Sequence, residues 1–167
     1  PAPESRFVYA SLLYHFGRGM AFAKRGEVPS AKIELSVVDE LMKDSTLQIA
    51  MVPFSPPIDG AIVSSDLLAG TIAMQEKNLS VAIERFSHAV NTEKNMVYNE
   101  PRDWLLNPRH FLGDAYLVNK NFLLAEEVFR NDLFQNMDNA WALQGLFQAL
   151  MEQSRKADAS VVKDRFI

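Results

Sequence analysis

Four glycines are each followed, twelve residues on, by an alanine: Gly19 by Ala31, Gly70 by Ala82, Gly113 by Ala125, and Gly145 by Ala157. An offset that recurs along one chain is the mark of a repeated structural unit. Four residues after each alanine stands a larger apolar residue, in turn Leu35, Phe86, Phe129 and Val161. Between glycine and alanine lies a turn signal: Gly26, Lys77-Asn78, Asn119-Lys120-Asn121 and Gln153-Ser154. The spacing predicts two antiparallel helices joined by a tight turn. The glycine and alanine are expected to meet where the backbones come closest, with the larger residue filling the gap to neighbouring helices. Neither helix pair can bury its apolar face alone, so the pairs must stack.

These columns resemble the tetratricopeptide repeat, whose unit is about 34 residues. Trp141 falls at the family's aromatic position in the fourth unit, and the resemblance covers most of residues 12–166. It implies an all-α fold, an α–α superhelix of about four helix–turn–helix repeats. The match is irregular. The small residue expected seven after the alanine is Val38, Ala89, Asp132 and Asp164, and the family's closing proline is absent. A segment from Tyr98 through His110, continuing to Asn131-Asp132-Leu133 and Trp141, resembles the C-terminal part of bacterial tetratricopeptide-repeat proteins of unassigned role. That likeness implies a longer parent chain, and Pro1-Ala2-Pro3-Glu4, with no start Met, reads the same way.

The repeats are expected at about 12–43, 63–93, 107–135 and 139–166, with insertions at about 44–61 and 94–106, all in one domain. The helices are predicted at 4–25, 29–43, 62–77, 79–92, 108–119, 122–135, 139–152 and 155–166. Pro53, Pro56 and Pro57 argue against regular helix in the first insertion. Its apolar run from Leu47 to Val52 makes it an anchored connection rather than a free linker. No strand pattern occurs.

Composition removes several function classes. The net charge of −4 and the scattered basic residues argue against nucleic acid as a partner. The absence of cysteine excludes thiolate–zinc sites, disulfides and a cysteine nucleophile, and fits cytoplasm and periplasm alike, with the cytoplasm favoured. No apolar run is long enough for membrane insertion. His15, His88 and His110 sit on different repeats without ligand spacing, so no metal or other cofactor is expected. Ser64-Ser65-Asp66 reads as a helix N-cap rather than a nucleophile. The chain is read as no enzyme.

In tetratricopeptide arrays the first helix of each pair lines an inner face. The resemblance puts Phe16, Met20, Leu67, Thr71, Met74, His110, Phe111, Asp114, Leu117 and Leu146 there. So apolar a face needs a cover. The cover is either a partner protein or peptide segment or the chain itself, including self-association through a second copy. Phe16, Met20, Leu68 and Phe111 replace the polar residues with which family members clamp acidic chaperone tails, so that role is set aside. The second insertion is the other candidate. Tyr98, Glu100, Trp104 and Arg109 could frame a small polar pocket, the tryptophan as an apolar wall and the arginine as an anion contact. The structural alternative is that Arg109 or Arg102 pairs with Glu100 or Asp132 and pins the insertion down. The leading reading is a protein-interaction scaffold. The rivals are an enzyme or sensor domain using the Tyr98–His110 pocket, and a polar cap closing a longer array.

Overall fold

The computed structural model describes residues 3–4, 6–50, 52–100 and 103–165. Among these the chain is all-α. The helices are α1 (Val8–Lys24), α2 (Val28–Leu41), α3 (Pro57–Gln75), α4 (Leu79–Asn95), α5 (Pro108–Val118), α6 (Phe122–Gln135), α7 (Ala140–Glu152) and α8 (Lys156–Lys163), with a 3-10 turn at Ser45–Gln48. Arg102, invoked above as an ion-pair partner, lies outside the described residues.

Each pair is built on the same corner. The first helix ends in a residue with left-handed φ: Gly26 at 78°, Lys77 at 60°, Lys120 at 57° and Ser154 at 60°. The N–H of the next residue reaches back to a carbonyl five residues earlier: Glu27 to Phe22 at 2.9 Å, Asn78 to Ala73 at 2.9 Å, Asn121 to Tyr116 at 2.9 Å and Arg155 to Leu150 at 3.0 Å. The left-handed residue itself bonds the carbonyl three before it in all four cases. This pair of bonds satisfies carbonyls that a helix end leaves orphaned. The same residue that closes the first helix opens the second as its N-cap. Its carbonyl accepts from a fully buried alanine four residues on, namely Ala31, Ala82, Ala125 or Ala159.

That geometry corrects the fourth unit. The buried alanine of α8 is Ala159, whereas Ala157 is exposed. Counting back from the left-handed residue as in the other pairs puts Phe147, not Gly145, in the glycine column. The fourth pair is shifted by two residues from the register that the sequence spacing predicts. The same shift moves Val161 out of its expected packing position to the surface, while Val162 is buried. It also moves Trp141 out of the column four before the glycine position. Leu143 fills that column and is buried, while Trp141 is exposed.

At each of these glycines an added Cβ would meet a large side chain first. A Cβ on Gly70 would lie 2.4 Å from the Phe86 ring, and one on Gly113 or Gly145 would lie 2.3 or 2.2 Å from Phe129. One on Gly19 would meet Leu68 at 2.5 Å and the Glu34 Cβ at 3.1 Å. The bare side of each helix therefore makes room for a large side chain. Phe86 and Phe129 are almost wholly buried as a result.

The first insertion also departs from expectation. α3 begins at Pro57, five residues before the predicted start, because Pro56 holds extended backbone as N-cap and Pro57 occupies the first helical turn. Ser64-Ser65-Asp66 then falls inside α3 and is buried, so it is no N-cap.

The chain forms two compact units, residues 1–108 and 109–167. In the first, α3 packs on α1, α2 and α4, and the 3-10 turn seats the buried Leu47 beside α1 and α3. In the second, α6 packs on α7 and α7 on α8 around Phe129, Leu133, Leu143, Leu146, Leu150, Ala159 and Val162.

Candidate functional site

Within the first unit, the residues assigned to an inner face are largely covered by the chain itself. Phe16, Leu67 and Thr71 are buried, and Met20 and Met74 are partly so. Phe16 has a specific cover: its ring lies 5.6 Å from that of Trp104, tilted by 55°. Within the second unit Leu117 and Leu146 are buried, His110 and Phe111 are partly buried, and Asp114 is exposed.

The two insertions are stitched to one another. Asp103 Oδ2 accepts from the Ser55 backbone N–H at 2.9 Å, and Ser55 Oγ accepts from the Val97 N–H at 2.7 Å. Trp104 Nε1 donates to the Leu106 carbonyl at 2.7 Å. Burial and then the Asp103 charge push the Tyr9 hydroxyl above its ordinary value. The Tyr9 oxygen lies 2.1 Å from where a Cβ on Gly60 would sit. Of the proposed pocket residues, Tyr98 donates to Glu100. Trp104 is turned inward to Phe16, and Arg109 is buried in the second unit.

Each histidine in the chain donates to a buried carboxylate of the facing helix. His15 Nδ1 meets Glu34 at 2.6 Å between α1 and α2, with Arg18 at 3.1 Å from the same carboxylate. His88 Nδ1 meets Asp66 at 2.5 Å between α4 and α3, with Arg85 at 3.4 Å. His110 Nε2 meets Asp132 at 3.0 Å between α5 and α6, and Asn136 Nδ2 donates to its other oxygen at 2.6 Å. A buried carboxylate is expensive unless paired and hydrogen-bonded. These contacts are cross-braces that fix each helix pair laterally. The sequence shows that Asp132 needs a partner, but it does not single out the histidines as the answer. Ser65 Oγ adds a further tie, donating to Asp39 of α2 at 2.7 Å.

The fourth pair is held differently. Glu126 on α6 accepts from Arg130 at 2.8 Å, Arg155 at 2.7 Å and Gln153 at 2.9 Å. Burial alone would raise this carboxyl, but the Gln153, Arg130 and Arg155 bonds outweigh it and hold it below its usual range.

The most unusual surface lies at the α6–α7 connection. Phe134, Met137 and Trp141 are 89%, 82% and 76% exposed, all within eight residues of a single reverse turn. The turn is closed by an Asn139 N–H to Asn136 carbonyl bond of 3.1 Å and by the Asn139 side chain, which accepts from the Ala142 N–H. Arg165, two residues past the end of α8, grips Asp138 in the same turn at 2.7 Å. Single exposed apolar residues are ordinary, but three large ones within eight residues of sequence are not.

Among the described residues no group of three or more His, Cys, Asp or Glu could hold a metal ion, and no helix is long and apolar enough to cross a membrane. No family model, no curated protein and no solved structure matches the chain.

Proposed function

We propose that this chain is a protein-interaction scaffold of the tetratricopeptide type, presenting an apolar corner on a braced helical framework. The observation that carries the reading is the exposure of Phe134, Met137 and Trp141, in and either side of a turn fixed by the Asn139 and Arg165 contacts. Aromatic residues and Met are the side chains enriched at binding hot spots. A rigid turn also lowers the ordering cost of association.

The alternative of an enzyme or sensor pocket near Tyr98–His110 has no comparable observation in its favour. Its apolar wall, Trp104, is engaged by Phe16.

Placing a photo-crosslinking phenylalanine analogue at position 141, and separately at the exposed polar position Lys156, tests the scaffold reading. Discrete adducts from position 141 and none from position 156 are expected. Equal or absent crosslinking at both would overturn it.

A further inference from the structure

We propose that α8 is a hinged latch. It is anchored at its start through Glu126 and fastened past its far end by the Arg165–Asp138 pair, and it opens as a unit to uncover the apolar cluster that it shares with α7. The inference is independent of what the α6–α7 turn binds.

The first argument is that little holds α8 down. It is eight residues long, where the second helices of the other pairs, α2, α4 and α6, have 14, 17 and 14. So short a helix is not stable in water without its packing, so undocking and melting are one event. Among the described residues α8 buries Ala159 and Val162, whereas α6 buries Phe129 and Leu133 with three others. The position nine past the left-handed residue carries Leu35, Phe86 and Phe129 in the first three pairs and Lys163 in the fourth. Lys163 is exposed, so α8 sends no large side chain into the core from that column.

The second argument is that its two ends are held unequally. At the start, Arg155 is the N-cap residue and its Nη1 donates to Glu126 at 2.7 Å. Gln153 Nε2 donates to Glu126 at 2.9 Å and to the Phe122 carbonyl at 3.3 Å. The Glu126 side chain is only 12% exposed, so these charge-assisted bonds are sheltered from water. Past the far end, Arg165 Nε and Nη2 donate to Asp138 at 3.1 and 2.7 Å, but the two side chains are 42% and 70% exposed. A pair so open to water contributes little and is screened by salt. Opening therefore starts at Arg165 and pivots at Arg155.

The third argument is what lies beneath. Ala159 and Val162 share one apolar cluster with Leu143, Leu146 and Leu150 of α7 and Phe129 of α6. α6 and α7 pack on each other directly, so lifting α8 bares part of this cluster without dismantling it. Segments with few buried apolar contacts are where native proteins open locally.

Native-state hydrogen exchange of the whole chain, followed residue by residue in urea below the unfolding transition, tests the latch. The amides of Ser160 to Lys163 should exchange at least about 100-fold faster than those of Leu146 and Ala149, because local opening is cheaper than global unfolding. Their dependence on urea should also be shallower, since opening exposes one small interface. Asp138→Asn removes the fastening charge and suits the left-handed backbone at that position, where φ is 59°. It should speed the α8 amides about 2–5-fold, the worth of an exposed ion pair. Raising NaCl from about 20 mM to about 1 M should do the same in the wild type and add little in the variant. Exchange of α8 in step with α7, at the same urea dependence, would overturn the proposal. So would α8 amides indifferent to Asp138→Asn, or a salt response that the variant keeps in full.

Discussion

The Cα of Gly145 and the ring of Phe129 are so close that a Cβ at position 145 would lie 2.2 Å from Cζ. Phe129 is almost wholly buried, with its ring against both this glycine on α7 and Gly113 on α5. Gly145→Ala is therefore expected to destabilise the protein by about 1–3 kcal/mol, the usual cost of overpacking. Phe129→Leu in the same chain should recover part of that loss, because the smaller side chain vacates the contested volume. Urea unfolding of the two single variants and the double variant measures the coupling. Gly17→Ala is the opposite case. Gly17 sits in the middle of α1, and a methyl added there would meet nothing within 4 Å. The substitution should gain about 0.5–1 kcal/mol.

The four corners make a second prediction, in which one conformation tests two residue types. Gly26 needs φ of +78° and has open space around it, so Gly26→Ala is penalised by backbone strain alone, by about 1 kcal/mol. Lys120 bears that strain already at 57°. Lys120→Gly should relieve it, and after the glycine's extra chain entropy is offset the net gain is up to about 1 kcal/mol. Thermal melts of both variants should shift in opposite directions.

The braces differ in what their removal exposes. Asp132 is wholly buried and its partner His110 is only 21% exposed at the side chain, whereas His88, which faces Asp66, is 62% exposed. Asp132→Ala leaves polar groups in a dry site and should cost about 2–4 kcal/mol. Asp66→Ala leaves His88 free to turn to water and should cost less, about 1–2 kcal/mol. Urea unfolding of the two variants compares them. Equal losses at the two positions would show that the histidines carry none of the difference.

Glu126 gives a pH signature. Its carboxyl is held below the ordinary value of 4.5 by Gln153, Arg130 and Arg155 against the opposing effect of burial. A depressed folded pKa contributes stability that is present above the unfolded pKa and lost as pH falls through the folded one. The melting-temperature gap between wild type and Glu126→Gln should thus be constant above about pH 5.5 and should close on titration toward about pH 3. A gap that widens in acid would invert the sign and show that these bonds do not stabilise the ionised Glu126 carboxyl.

Much of the framework is legible in the chain. The predicted bounds of α6 match the observed ones, and the buried alanines of the first three pairs fall where the spacing puts them. The fourth does not, because Gly145 and Ala157 match the twelve-residue offset without sharing the corner. The left-handed residue, invisible as such when it is Ser154 rather than glycine, sets the true register. The start of α3 is hidden because Pro57 reads as a helix breaker when it occupies the first turn. Ser64-Ser65-Asp66 misleads for a related reason, since the composition of a cap occurs here in a buried helix where Asp66 is answered by His88 across the pair. Partners distant in sequence leave no local signal. The pocket residues illustrate the same limit, with Trp104 drawn to Phe16 nearly ninety positions away. The exposure of Trp141 follows from the register shift and has no sequence signal apart from it.

A pair of substitutions on α8 tests the shared corner. Ala159 is fully buried and Ala157 is exposed on the same short helix. The measurement is the melting temperature of Ala159→Leu beside that of Ala157→Leu. Ala159→Leu should lose about 1–3 kcal/mol of stability and Ala157→Leu almost none. The reverse order would return the fourth pair to the glycine–alanine spacing and contradict the common corner.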